Sequence, residues 1–121
     1  MIVGIGVDIA EIQRIKKACE KEAFLLRCFT SAERKLVEGF PARAAGNFAV
    51  KEAVVKAFGT GFGKVGPGEI EVLRDPLGKP YVVLYGAAKQ LAGEQGIRRL
   101  HVSLTDTKEL AQAFVVAEGE G

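Results

Sequence analysis

The sequence predicts an α+β fold in a single small domain, a sheet packed against helices, and three observations carry that prediction. The 121 residues fit one core of ordinary size and leave no length for a second. Residues 2–10 alternate, with Val3, Ile5, Val7 and Ile9 on one side and Gly4, Gly6, Asp8 and Ala10 on the other, which is the period of a strand. Further on, Ala45, Ala49, Ala53 and Ala57 recur every fourth residue, a helical stripe of small side chains that allows close approach to another element.

Taken in order, the opening strand gathers three tiny residues on the face that carries Asp8, leaving space that a ligand or a helix can enter. From Glu11 the period becomes helical: Ile12, Ile15, Cys19 and Ala23 share one side, while Arg14, Lys17 and Lys21 form a basic back. Thr30 and Glu33 have the spacing of a capping box, which starts a short helix ending near Gly39. Pro41 suits the first turn of the next helix, which runs to about Phe58 and stops at Gly59. Phe48 and Val55 add apolar bulk beside its alanine stripe, so this is the central buried helix.

A glycine-rich segment from Gly59 to Gly68 follows, then a hairpin of residues 69–74 and 80–84 around the turn Asp75-Pro76-Leu77-Gly78. A helix over 87–95 precedes two strands, 99–105 and 111–118, with Phe114 and Val116 as candidates for burial in a core or a subunit contact. Only the tail from Glu118 to Gly121 is expected to be disordered. No repeat or linker interrupts the single domain, residues 1–121.

Composition excludes several classes. With 48% hydrophobic and 26% charged residues the chain can fold, and a net charge of +2 is too mild for a protein that tracks nucleic acid. Cys19 and Cys28 form neither a CxxC nor a zinc spacing, which reads as reduced thiols in a cytoplasmic protein. No basic leader precedes an apolar stretch and no apolar run approaches a membrane span, so neither secretion nor a membrane partner is expected.

Chemistry concentrates on the central helix. Glu52 and Lys56 stand four apart and leave it on one face, either as an ordinary surface ion pair or as working groups. Asp8 and Glu52 would repel each other if brought together, and a divalent cation would remove that repulsion. Magnesium, which binds through one or two carboxylates plus phosphates and waters, matches such a pair. The stretch Gly59-Thr60-Gly61-Phe62-Gly63-Lys64 follows a helix and lacks the GxxxxGK[ST] pattern, and Gly4-Ile5-Gly6-Val7-Asp8 lacks a dinucleotide fingerprint. His101, Ser103 and Thr105 share one strand face, which reads as a hydrogen-bonding surface more readily than as a Ser-His nucleophile pair.

Together, Gly4-Ile5-Gly6-Val7-Asp8-Ile9, Phe48-Ala49-Val50-Lys51-Glu52-Ala53-Val54-Val55-Lys56-Ala57, Gly59-Thr60-Gly61, Gly78-Lys79-Pro80 and His101-Val102-Ser103-Leu104-Thr105-Asp106 resemble the holo-acyl-carrier-protein synthase family over almost the whole chain. The resemblance implies a 4'-phosphopantetheinyl transferase fold, a homotrimer with sites between neighbours, and a role in fatty acid biosynthesis. It implies transfer of 4'-phosphopantetheine from coenzyme A to a serine of apo acyl carrier protein, with release of adenosine 3',5'-bisphosphate. By motif match, Asp8 and Glu52 are the Mg2+ ligands, Glu52 and Lys56 the catalytic residues, and Lys56, Gly59, Thr60, Gly61, Lys79, His101 and Ser103 the coenzyme A contacts. The basic face of Arg14, Lys17 and Lys21 corresponds to the docking helix for the acidic carrier. One departure is Asn47, where many relatives carry an arginine assigned to a nucleotide phosphate; Arg43 stands one turn away. Two rivals are a non-catalytic module that grips an acidic protein and another magnesium-dependent nucleotide enzyme, such as a hydrolase.

Overall fold

The computed structural model describes residues 1–121. Strand β1 (Ile2–Glu11) leads into α1 (Ile12–Cys19), α2 (Glu22–Cys28), α3 (Ser31–Val37) and α4 (Pro41–Phe58). A 3-10 turn at Pro67–Glu69 then precedes β2 (Ile70–Arg74), β3 (Pro80–Leu84), α5 (Gly86–Glu94), β4 (Ile97–Asp106) and β5 (Leu110–Gly119). The strands form an antiparallel sheet in the order β1-β5-β4 and a separate hairpin of β2 and β3.

A helix fills the space beside Asp8. A side-chain carbon on Gly6 would lie 1.8 Å from the Ala53 carbonyl oxygen, and one on Gly4 would lie 2.1 Å from that of Ala57. Both positions must therefore be glycine for β1 and α4 to pack backbone to backbone. From the other side Ala45, Ala49 and Ala53 are completely buried, so the small residues of strand and helix serve the same contact. Ala113, Val115 and Ala117 of β5 close the core beneath α4.

The other sheet face is bare: Val3, Ile5, Val7, Ile9 and Phe114 are 38–61% exposed. Phe114 is thus outside the core, and the register places it between Val7 and Ser103.

Two expectations change and one is kept. The single helix expected from Glu11 to Ala23 is two, because a turn at Glu20 and Lys21 redirects the chain. No glycine or proline marks that break. Packing favours it, since Phe24 then meets Phe29 and Phe48 with ring centroids 6.3 and 5.8 Å away. The tail is also more ordered than its composition predicts: β5 continues to Gly119, and Gly119 N–H donates to the Met1 carbonyl at 2.8 Å. The Thr30 capping box is present in both directions, with Glu33 N–H donating to Thr30 Oγ1 at 3.2 Å and Thr30 N–H to Glu33 Oε1 at 3.1 Å. Its carboxylate has a further use described below.

Candidate active site

Near the end of β1, Asp8 points toward α4 from the same face as Gly4 and Gly6, and its side chain is 18% exposed. Lys56, in the last turn of α4, meets it there: Nζ lies 3.1 Å from Asp8 Oδ1 and donates to the Val7 carbonyl at 3.0 Å. Glu52 precedes Lys56 by one turn and makes no ion pair with it, so the surface pair that the i, i+4 spacing allowed is absent. Burial raises the Glu52 pKa, the negative charge of Asp8 raises it further, and Lys56 acts in the opposite direction. Asp8 meets Lys56, and Glu52 stands one turn before Lys56 on the same face of α4, so the two carboxylates and the ammonium share one corner. The corner offers two carboxylates without a third His, Cys or acidic partner. Hard oxygen donors in that number fit magnesium, whose remaining positions go to water and phosphate oxygens.

The glycine segment continues from this corner. Gly59 ends α4 in the left-handed region at φ 80° and Gly61 follows at φ 67°, conformations that glycine adopts without steric penalty. Gly59, Thr60 and Gly61 are all exposed, and Thr60 Oγ1 donates to the Gly61 carbonyl at 3.0 Å.

Other predicted residues lie elsewhere within the protomer. Lys79 and His101 share a cleft of about 380 Å³ between the β2–β3 hairpin and β4. His101 is also 2.9 Å from Glu118 across the sheet, and Ser103 lies exposed on the bare face. Arg14, Lys17 and Lys21 line another cleft, about 460 Å³, together with Phe24 and Arg27. Lys21 does not continue α1 as expected but stands at the N-cap of α2, where the redirected chain still returns it to this basic surface. The largest cavity, about 750 Å³ among α1, α2 and α3, contains none of these residues. It holds no pair of facing carboxylates, so its size does not make it the reaction site.

Sequence reasoning missed the groups that hold the corner in place. Lys51, adjacent to Glu52, is fully buried and lies 2.7 Å from Glu33 Oε1. Its other donors reach the carbonyls of Pro67, at 2.9 Å, and Ile70, so one ammonium ties α3, α4 and the end of the glycine segment together. Burial lowers its pKa and the Glu33 carboxylate pulls it back up. Asn47 joins the same network, donating to Glu33 Oε2 and to the Val72 carbonyl, each at 3.0 Å. Fully buried, Asn47 is a core residue and does not face a ligand cleft. The available signal was Asn47 and Lys51 at i, i+4 on a helix side whose buried neighbours Ala44, Val54 and Phe58 are apolar.

Residues 4–114 match the sequence model of the 4'-phosphopantetheinyl transferase superfamily. A holo-acyl-carrier-protein synthase of Lachnoclostridium phytofermentans is 58% identical over 118 residues, covering 98% of this chain and 97% of that protein. The crystal structure of holo-acyl-carrier-protein synthase from Neisseria meningitidis superposes with a TM-score of 0.88 at 38% identity, covering 98% of this chain and 99% of that one. The Helicobacter pylori enzyme of the same name, in complex with coenzyme A, superposes with a TM-score of 0.84 at 32% identity over 94% of this chain and 99% of that one.

Proposed function

The chain belongs to the holo-acyl-carrier-protein synthases of the 4'-phosphopantetheinyl transferase superfamily, and we propose on that premise that it moves 4'-phosphopantetheine from coenzyme A to a serine of apo acyl carrier protein. The second product is adenosine 3',5'-bisphosphate. The observation that carries this reading is the convergence of Asp8, Glu52 and Lys56 in one half-buried corner.

Asp8 and Glu52 hold magnesium in this reading, and the ion when bound supplies positive charge to the diphosphate oxygens. Lys56 adds a second cation. Its half-exposed ammonium sits beside Asp8, where it would meet a phosphate oxygen of the bound diphosphate. The serine oxygen forms a bond to phosphorus while the bond to the nucleotide's 5'-phosphate breaks, and that phosphate leaves with the electron pair. Glu52, or a water it would hold on the metal, accepts the serine proton.

The bare sheet face supports a homotrimer. Val3, Ile5, Val7, Ile9 and Phe114 form a contiguous apolar surface on neighbouring strands, which a second copy would cover. Such packing would carry Lys79, His101 and Ser103 of one protomer toward the corner of the next, where they contact coenzyme A together with Lys56, Gly59, Thr60 and Gly61. Light scattering should give three protomers, and Ile5→Lys should release monomers with little activity.

The basic cleft of Arg14, Lys17 and Lys21 takes the acidic carrier. Reversing charge at Arg14 and Lys17 should slow carrier modification and flatten its salt dependence; an unchanged rate would remove that surface from the account. A cytoplasmic place, in fatty acid biosynthesis, suits two free thiols and a chain in which no helix is long and apolar enough to cross a membrane. Mass spectrometry tests the reaction. Apo carrier protein with coenzyme A and magnesium should gain one phosphopantetheine on serine, and chelator should abolish the gain. Product release without a carrier would instead indicate a hydrolase.

A further inference from the structure

Helix α5 joins the two ends of the glycine segment. At its C-terminal end, Gln95 Nε2 donates to the Phe58 carbonyl at 2.9 Å. Phe58 is the last residue of α4, and its carbonyl is one of those that a helix end leaves without a partner of its own. At the N-terminal end, Glu69 holds two N–H groups at once. That of Gly66 donates to Oε1 at 2.8 Å, and that of Ala87, in the first turn of α5, donates to Oε2 at 2.6 Å. Tyr85 N–H also donates to the Glu69 carbonyl at 2.9 Å. Gly86 leaves room for this grip, since a side-chain carbon there would collide with Glu69 Oε2. Ala88 and Ala92, both buried, seat the helix on the core between the two anchors.

The span of the segment is thereby set from outside it. Ala87 and Gln95 stand about 12 Å apart along the axis of α5. The chain from Phe58 to Gly66 could reach about 27 Å if extended, so between its anchors it must arch. Phe62 and Val65 turn inward against the core, with Val65 only 1% exposed, while Gly59, Thr60, Gly61, Gly63 and Lys64 are exposed. No backbone N–H from Gly61 to Val65 donates to an acceptor within the protein. An arch with so few hydrogen bonds of its own takes its shape from its two ends. Those ends are fixed by Gln95 and Glu69, and the first of them continues directly from the turn of α4 that carries Lys56.

We infer that Glu69 and Gln95 are positioning residues for the donor: through α5 they set the shape in which Gly59, Thr60 and Gly61 meet coenzyme A. The inference rests on the transferase reading above. Neither side chain belongs to the corner of Asp8, Glu52 and Lys56, which β1 and α4 hold together without α5. Losing either anchor therefore frees the arch and leaves the reacting groups in place. The arch touches the donor before and during transfer alike, so loosening it weakens donor binding without slowing the chemical step.

The test is calorimetric titration of the whole protein with coenzyme A in the presence of magnesium, joined to steady-state transfer. Gln95→Leu, which fills the same space without a donor, and Glu69→Gln, which keeps one acceptor oxygen, should each weaken coenzyme A binding by about fivefold or more, with kcat within about twofold of the parent. Gln95→Lys should restore the parent affinity, because its ammonium still donates at the end of α4, where the helix dipole favours a cation. In the ligand-free protein, amide order parameters for residues 59–65 should fall in Gln95→Leu and recover in Gln95→Lys. A purely structural role would lower the thermal midpoint and leave both the affinity and the order parameters of the folded variants at the parent values. Parent-level affinity in both loss variants, a loss confined to kcat, or no recovery in Gln95→Lys overturns the inference. Binding and order parameters need no turnover, so a parent chain that bound coenzyme A and transferred nothing would sink the transferase reading while these measurements still decided the role of α5.

Discussion

Lys51 and Glu52 are neighbours on α4, yet the surroundings of the two differ in every respect that matters for chemistry. Around Lys51 the donors and acceptors match: Glu33, Pro67 and Ile70 take its three N–H groups and water is excluded. Around Glu52 charge is left over. Two carboxylates stand near one lysine, the Glu52 carboxylate makes no ion pair, and the Lys56 side chain is 52% exposed. A lysine with every N–H matched holds backbone elements in place, whereas a cluster with unmatched acids has capacity for a ligand. The helix separates these two environments by turning about 100° per residue.

The contrast is open to attack at several points. The largest effect is expected at Glu52: Glu52→Gln should lower turnover by roughly 10²–10⁴-fold, the range for losing a general base, while leaving the urea midpoint nearly unchanged. Lys51→Met should do the reverse, destabilising the fold by about 3–5 kcal/mol because Glu33 would remain buried without its cation. Adding Glu33→Gln to that variant should restore part of the loss, which urea denaturation would measure.

Gly6→Ala comes next, because the new methyl would strike the Ala53 carbonyl and push β1 off α4. A loss of about 1–3 kcal/mol is expected, with turnover falling as Asp8 moves away from Glu52. Lys56→Ala should remove most of the activity and less than about 1 kcal/mol of stability, since its pair with Asp8 is open to solvent.

The smallest effect is electrostatic. In metal-free protein the Glu52 carboxyl should titrate above the ordinary glutamate range by carbon NMR, with Asp8→Asn lowering its midpoint and Lys56→Ala raising it. The raised pKa means that the folded chain holds this proton more tightly than the unfolded chain. Between the unfolded and folded values, then, the stability contributed by this group falls as pH rises.

Much of the fold was legible because period and punctuation agree with packing. Alternation marks β1, the alanine stripe marks α4, and Thr30, Pro41 and Gly59 set helix ends that the structure keeps. The break after Cys19 was not legible, since it depends on where Phe24 finds Phe29 and Phe48, partners that no local pattern reveals. At the site, Asp8, Glu52 and Lys56 were named from residue type and motif, but their meeting depends on the glycines of β1 admitting α4. The supporting network escaped notice because a Lys and an Asn on a helix are ordinarily solvated, and only tertiary burial gives Lys51 and Asn47 a fixed role. Lys79, His101 and Ser103 were legible as residues and not as neighbours of the corner, from which the fold separates them within one protomer.

The central claim is that Asp8 and Glu52 act as one cation site, and manganese binding followed by electron paramagnetic resonance, without substrate, tests it most directly. One ion should bind per protomer, and Asp8→Asn and Glu52→Gln should each weaken it at least tenfold while Lys56→Ala does not. Parent-level affinity in either carboxylate variant would contradict the account.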